Sequence, residues 1–320
     1  MLSKGTYYPL FDHGFIGFVD VLGDDESIER AARTSFGMDP ERTVTDRRGL
    51  LRYLLSHRHM SPFEMGEMVF HIGAPLFVIQ QWLRHRTANL NQESHRYTEP
   101  TLHFFTPGEW RAQSGSSKQG SDGLIPPDSA KLMDTLYHGN LEDQQLLYQA
   151  LRQAGTAKEL ARIGLPAATY TQLYWKCDVR NLLHFLGLRC DPHAQWEIRA
   201  YANIMAAMVR EYFPLTFEAW LDYHFDSASF SRLEMQAMQL VLKNGLLAGE
   251  KFGYLPEGGI ESLTFDSSGD SEAWEQVMLQ MTDRERLAFP VKLMRLYHRT
   301  PFELPEESMT EEEMKERWLS

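Results

Sequence analysis

The stretch QWLRHRTANLNQESHRYT, residues 81–98, holds a dense group of hydrogen-bonding side chains. It begins inside a predicted helix, where Gln81, Arg84 and His85 share one face because residues three and four apart are neighbours. Beyond Arg86 the nearly unbroken polar run predicts that the chain leaves the helix as a loop. Arginine forks match phosphate oxygens and also stack on ring faces. The stretch therefore predicts a site for an anionic ligand that carries a heteroaromatic ring.

The flanking sequence predicts an α+β fold, with a mainly antiparallel central sheet flanked by helices and a helical C-terminal extension. β-branched and aromatic residues predict strands over 14–22, 64–72 and 169–176. Apolar periodicity and start signals predict helices that begin at Asp24 or Asp25, near Thr45, at Pro127, at Thr156, at Asp178 and at Pro192. The helix from Pro192 is expected to run to Phe213, and Thr156 with Glu159 has the spacing of a capping box.

A change of character near residue 225 predicts two parts. Residues 1–225 are expected to form a catalytic domain and residues 226–320 a C-terminal helical extension of unknown role. Helices are predicted near 229–244, 271–289 and 309–319, with Gly-rich or Ser-rich connections between them. Within the first part, the low-complexity segment 113–123 predicts a flexible loop, either a surface insertion or a gate over the site.

Composition restricts the function classes. The chain has 320 residues, 43% of them hydrophobic, and a net charge of −12, which opposes binding to nucleic acid. No apolar run is long enough to span a bilayer and no signal sequence begins the chain, so we expect no membrane contact and a cytoplasmic protein. The two cysteines, Cys177 and Cys190, form no Cys-x-x-Cys pair. We therefore expect buried thiols, no disulfide framework and no metal site.

The pattern of Arg84-His85-Arg86, seven residues and then Ser94 resembles the signature of flavin-dependent thymidylate synthases. Four further blocks resemble the family in the family's order, and the resemblance covers about residues 14 to 222: RAARTSF at 30–36, HMSPFE at 59–64, RIGLP at 162–166, and LR at 188–189 followed by HAQWE at 193–197.

The resemblance implies a function. In the family, dUMP is methylated at C5 with carbon from methylene-tetrahydrofolate, and FAD, reduced by NADPH, supplies the hydride. The positions that match dUMP-binding residues of the family are Gln81, Arg84, Gln92, Glu93, Ser94, His95, Arg96, Arg162 and Arg189. Those that match FAD-binding residues are Ser61, Arg84, His85, Arg86, Gln92, Asp178, Arg180 and His184. The family is homotetrameric and assembles each site from several subunits, so these residues are not required to meet within one chain.

Arg189 is the catalytic candidate. An arginine stays protonated at neutral pH, so its contribution is electrostatic: a fixed cation beside N3 or O4 of uracil favours the ionised ring. Gln92 stands where many family members have Glu, and Asp178 and His184 stand where Asn is frequent. A carboxylate cannot donate a hydrogen bond to flavin, so Asp178 keeps open an alternative, a non-catalytic nucleotide-binding regulator. A third class, an RNA-binding protein that uses the basic loop, is opposed by the acidic charge.

Overall fold

The structure, a computed structural model, describes residues 2–34, 44–97, 102–115, 119–243, 268–282, 286, 289 and 302–319. The chain divides into two compact units. The first comprises residues 1–223 and 301–320, and the second comprises residues 224–300.

The first unit is built on a six-stranded sheet in which every neighbouring pair is antiparallel. The strand order is β4-β7-β3-β2-β1-β8, and β5 and β6 form a separate hairpin. The strands are β1 Thr6–Leu10, β2 Gly14–Leu22, β3 Glu67–Pro75, β4 Asn89–Gln92, β5 Arg111–Gln113, β6 Ser121–Leu124, β7 Tyr170–Asp178 and β8 Met309–Thr310. The predicted α+β class is confirmed.

Within the first unit, helices flank the sheet; α9 and α10 belong to the second unit. The helices are α1 Asp25–Arg33, α2 Val44–Ser56, α3 Leu76–Trp82, α4 Pro127–Gln153, α5 Lys158–Ala161, α6 Val179–Arg189, α7 Trp196–Tyr212, α8 Pro214–Trp220, α9 Arg232–Lys243, α10 Ser268–Gln280 and α11 Glu311–Leu319. Asp24 caps α1 by accepting a hydrogen bond from Ser27 N at 2.8 Å. On α7 the stripe of Ile204, Met205, Met208 and Val209 is buried within the chain.

Three predicted starts are wrong. The strand expected over 64–72 begins at Glu67, because Ser61–Met65 forms a 3₁₀ turn that has Pro62 in its first turn. The capping box of Thr156 and Glu159 is absent: the short helix α5 starts after Ala157, without a side-chain cap. The helix expected from Pro192 begins at Trp196, because Asp191 folds the intervening residues into a turn in which its Oδ1 accepts from His193 N at 2.8 Å.

The last helix belongs to the first unit, so a single extension over 226–320 is a wrong boundary for residues 302–319. Strand β8 pairs with β1, and α11 packs its Trp318 ring edge-on to Phe15, with the ring centroids 5.2 Å apart. Gly73 makes the room, because a Cβ there would lie 2.8 Å from the Trp318 ring. Thr310 and Glu313 cap α11 reciprocally.

The second unit has a hydrophobic core of its own between α9 and α10. Its buried side chains are Ala237, Val241, Trp274, Val277, Met278, Met281 and Phe289. Over the described parts of the whole chain, no helix combines the length and apolarity that a membrane span requires. The same residues contain no group of three or more His, Cys, Asp or Glu side chains that could hold a metal ion. Cys177 and Cys190 are both buried and not disulfide-bonded.

Candidate active site

The Arg84-His85-Arg86 triplet lies in the turn that follows α3. The helix ends at Trp82, and the chain closes with hydrogen bonds from Leu83 N to Ile79 O and from His85 N to Trp82 O, 2.9 and 3.0 Å long. Of Gln81, Arg84 and His85, which were predicted to share one helical face, only Gln81 therefore lies in the helix. The turn lets Arg84 and Arg86 project from the helix end, and both are exposed.

This turn and one face of α6 enclose a cavity of about 300 Å³, the triplet cavity. Asn181, His184 and Leu188 line it from α6, because residues three and seven positions apart lie on one helical face. The remaining lining residues are Arg84, His85, Arg86, Thr87, Cys177 and Arg189. Five predicted site residues thus meet in one place: Arg84, His85, Arg86, His184 and Arg189.

Arg189 is fixed at the wall of the triplet cavity. Its Nε donates to Nε2 of His85 at 3.0 Å, and its Nη2 donates to the Gln81 carbonyl at 3.1 Å. Burial lowers the pKa of Arg189, but a guanidinium remains charged at neutral pH. Burial, followed by the nearby Arg189 and His184, lowers the pKa of His85 to about 4. His85 is therefore a neutral acceptor for the Arg189 fork, with its proton on Nδ1.

Two cations beside Arg189 are available to an anion. Among the described residues, neither the Arg84 nor the Arg86 guanidinium has an ion-pair or hydrogen-bond partner, and both residues line the triplet cavity. Histidine rings and a carboxamide supply further polar contacts there. This donor set fits a ligand that combines phosphates with a nitrogen heterocycle, as FAD does.

A second cavity, of about 250 Å³, holds another part of the predicted site. Gln92, Glu93, His95 and Arg162 line it together with Leu76, Ile163 and Leu165. His95 is only 8% exposed, and its Nε2 has no hydrogen-bond partner among the described residues. Burial lowers the pKa of His95, which favours the neutral ring. We call this the His95 cavity.

The two cavities lie near opposite ends of β4. Asn89 pairs with Lys176 and Gln92 pairs with Leu173, so β4 runs from the triplet cavity toward the His95 cavity. Four extended residues span about 13 Å. Within one chain the predicted dUMP-binding residues are consequently divided between the cavities, with Arg84 and Arg189 at one and Gln92, Glu93, His95 and Arg162 at the other.

Several predicted site residues line neither cavity. Arg180 forms an ion pair with Glu64 of the 3₁₀ turn that starts at Ser61. Ser94 and Arg96 lie in the turn after β4, where Ser94 O accepts from Tyr97 N, and Arg96 approaches Glu159 to 3.6 Å. Asp178 caps α6, with one carboxylate oxygen on Asn181 N and the other on Asn181 Nδ2.

Sequence reasoning missed two residues beside the site. Gln195 Oε1 accepts from Gln81 Nε2 at 2.5 Å, and Asn181 lines the triplet cavity. The spacing of three residues between Asn181 and His184 on a predicted helix was a signal for Asn181. Gln195 lies inside the block 193–197 but outside the positions that the resemblance assigns.

The low-complexity segment 113–123 begins at the last residue of β5 and ends within β6, and its residues 116–118 lie outside the described residues. The hairpin lines a third cavity, of about 740 Å³, in which Arg111 pairs with the buried Glu197. Gln195 lies on its wall, so this cavity adjoins Gln81.

The family model described as thymidylate synthase complementing protein matches residues 18–215. The chain belongs to this family. The flavin-dependent thymidylate synthase of Thermus thermophilus is 41% identical over 269 residues, which cover 84% of this chain and 95% of that protein. The protein of the same name from Dictyostelium discoideum is 43% identical over 239 residues, covering 71% of this chain and 78% of that one.

Solved structures of a nucleotide methylase have a similar fold. The UMP/dUMP methylase PolB from Streptomyces cacaoi, bound with 5-Br dUMP, superposes with a TM-score of 0.63 at 32% identity. The superposition covers 68% of this chain and 99% of that one. With 5-Br UMP bound, the TM-score is 0.60, covering 66% and 95%. The residues matched by the family model, 18–215, lie within the first unit and include strands β3, β4 and β7 of its sheet.

Proposed function

We propose that this member of the thymidylate synthase complementing family is a flavin-dependent thymidylate synthase that converts dUMP to dTMP. The observation that carries the proposal is the cavity wall formed by Arg189 and the neutral His85, with Arg84 and Arg86 beside it. The regulatory alternative finds no support, because the similar proteins are named as synthases and methylases.

Arg189 is the proposed catalytic residue. Placed beside N3 and O4 of the uracil, its guanidinium stabilises the ionised ring and so raises the electron density at C5, where the new carbon bond forms. The neutral His85 acceptor and the Gln81 carbonyl hold the fork in place. A charged His85 would repel Arg189, so the lowered pKa of His85 maintains this geometry at neutral pH.

The phosphate of dUMP is assigned to the arginines of the predicted set. Arg162 has no ion-pair partner among the described residues and lines the His95 cavity. Ser94 and Arg96 are further proposed phosphate contacts, carried over from the sequence resemblance. Charge-assisted hydrogen bonds contribute about 1.5–3 kcal/mol each, so two or three such contacts suit a small anion in an acidic protein.

We assign FAD to the triplet cavity, with NADPH and methylene-tetrahydrofolate as co-substrates. When bound, the flavin supplies the hydride that completes the methyl group. Arg84, Arg86, His85 and His184 are the residues proposed to bind it there. The resemblance adds Ser61, Gln92, Asp178 and Arg180, which lie outside the lining of this cavity. The sequence has no Gly-x-Gly-x-x-Gly motif, in keeping with an NADPH that visits the flavin only transiently.

A homotetramer is part of the proposal. One chain holds its uracil and phosphate residues in two separate cavities, and a second copy that juxtaposes these cavities would complete a site. We propose that the assembly acts in the cytoplasm, in keeping with two buried cysteines that form no disulfide and with the acidic composition.

Flavin absorption tests the proposed function. The purified protein, with FAD added, is expected to show a bound-flavin visible spectrum that dUMP shifts, because both ligands meet in one site. Flavin binding that dUMP leaves unchanged would contradict a shared site. Binding of dUMP without any flavin would favour a regulator, and binding of neither would overturn the assignment altogether.

A further inference from the structure

Asp178 and Asn181 form a hydrogen-bonded pair at the start of α6. Asp178 Oδ1 accepts from the Asn181 backbone N at 2.9 Å, and Oδ2 accepts from Asn181 Nδ2 at 2.8 Å. Both oxygens of the carboxylate are therefore engaged with one residue. Asp178 does not line the triplet cavity, whereas Asn181 does.

The carboxylate determines the orientation of the Asn181 carboxamide. An ionised Asp only accepts hydrogen bonds, so the end of the carboxamide that faces Asp178 must be its NH₂ group. The Asn181 oxygen points the other way and has no hydrogen-bond partner among the described residues. An Asn at position 178 would not select this orientation, since a carboxamide can present either a donor or an acceptor.

We propose that Asp178 is a positioning residue that holds the Asn181 carboxamide oxygen toward the triplet cavity, where it accepts a hydrogen bond from a ring N–H or amino group of the cofactor. This inference rests on the proposed function. It also explains how a residue that cannot donate to flavin serves the flavin site, because the contact is made by its neighbour. FAD has two such donors, the imide N–H of its isoalloxazine ring and the amino group of its adenine.

The test exchanges the two side chains. In Asp178→Asn the new carboxamide still caps α6, but its NH₂ group faces that of Asn181, so Asn181 turns and presents a donor to the cavity. The double variant Asp178→Asn/Asn181→Asp restores an acceptor toward the cavity with the same net charge as the wild type. We expect the single variant to bind FAD about tenfold more weakly and the double variant to regain most of that loss.

Dissociation constants for FAD, measured by fluorescence quenching with a melting temperature for each variant, decide the outcome. A wild-type protein that does not bind FAD would overturn the proposed function together with this inference. Wild-type affinity in Asp178→Asn, or no recovery in a folded double variant, would overturn the inference alone. Riboflavin and ADP as probes identify the donor. Asp178→Asn is expected to bind riboflavin more weakly than the wild type if Asn181 contacts the isoalloxazine, and ADP more weakly if Asn181 contacts the adenine.

Discussion

At the scale of residues, the proposed function depends on one cation, Arg189, and its neutral neighbour, His85. Arg189 and His85 lie 104 residues apart in sequence and meet at 3.0 Å, because α3 and α6 end at the same cavity. The family resemblance identified both residues. It did not identify their mutual contact, since a hydrogen bond across the fold leaves no local pattern in the sequence.

Replacing Arg189 tests its electrostatic role. Arg189→Ala is expected to lower kcat for dTMP formation by at least about a hundredfold, as the loss of a preorganised transition-state donor does. The fold is expected to persist, because Arg189 is only partly buried. Arg232→Ala, on the exposed face of α9, is the matched control and should retain full turnover. A circular-dichroism melt checks folding, and unchanged turnover in Arg189→Ala would refute the assignment.

The lowered pKa of His85 predicts a pH dependence of stability. The unfolded chain takes up this proton near the ordinary pKa of about 6.5, whereas the folded chain does so near a pKa of about 4. The free energy of unfolding should therefore fall as the pH drops from about 6.5 to about 4. In His85→Gln, which keeps an acceptor for Arg189, urea denaturation at pH 7 and pH 5 should show a smaller fall. Equal falls in both proteins would count against a neutral, buried His85.

At the scale of elements, helices and strands with a regular apolar pattern could be predicted from the sequence, whereas β4, the strand between the two cavities, could not. Residues 14–22 form β2 as predicted, and Asp24 and Asp178 cap α1 and α6. Strand β4 was missed because Asn89 and Asn91 are poor strand formers; pairing with β7 overrides that preference. Pro192 has the sequence signal of a helix start, but the Asp191 side chain turns the chain first and the helix begins at Trp196.

Helix α11 was placed in the wrong part of the molecule for a similar reason. Thr310 and Glu313 are three residues apart, so the capping box of α11 is a local feature of the sequence. The docking of α11 through Trp318 instead depends on the absence of a side chain at Gly73, about 245 positions earlier. Neither feature suggests the other from sequence alone. Long-range packing of this kind gives no periodic signal.

Trp318→Ala tests whether α11 is integral to the first unit. Removing the ring from its contacts with Phe15 and Tyr170 is expected to lower the free energy of unfolding by about 3–5 kcal/mol. Leu319, 72% exposed, is the adjacent control, and Leu319→Ala should change stability by less than about 0.5 kcal/mol. Chemical denaturation measures both, and equal stabilities in the two variants would show that α11 is dispensable.

At the scale of the whole molecule, the split of the predicted dUMP residues between two cavities is the main feature. Arg189 lines one cavity and Arg162 the other, at opposite ends of β4. The sequence resemblance predicted the residues and allowed for this separation. The arrangement of copies that would bring the cavities together remains a proposal.

Mixing two inactive variants tests the shared site. Arg162→Ala and Arg189→Ala each remove one of the two arginines proposed for a shared site. Mixed oligomers formed by co-expression should therefore contain some sites in which both arginines are present. We expect each variant alone to be inactive and the mixture to recover part of the wild-type turnover. Native mass spectrometry confirms that mixed oligomers form. Absence of activity in such oligomers would place both arginines of a site on the same chain.

The most direct test of the central claim is a dTMP assay with isotopically labelled methylene-tetrahydrofolate, dUMP, NADPH and the purified protein, with and without FAD. The account predicts labelled dTMP only when FAD and all three substrates are present, and its loss in Arg189→Ala. dTMP formed equally well by flavin-free protein, or no dTMP from protein that binds both FAD and dUMP, would contradict it.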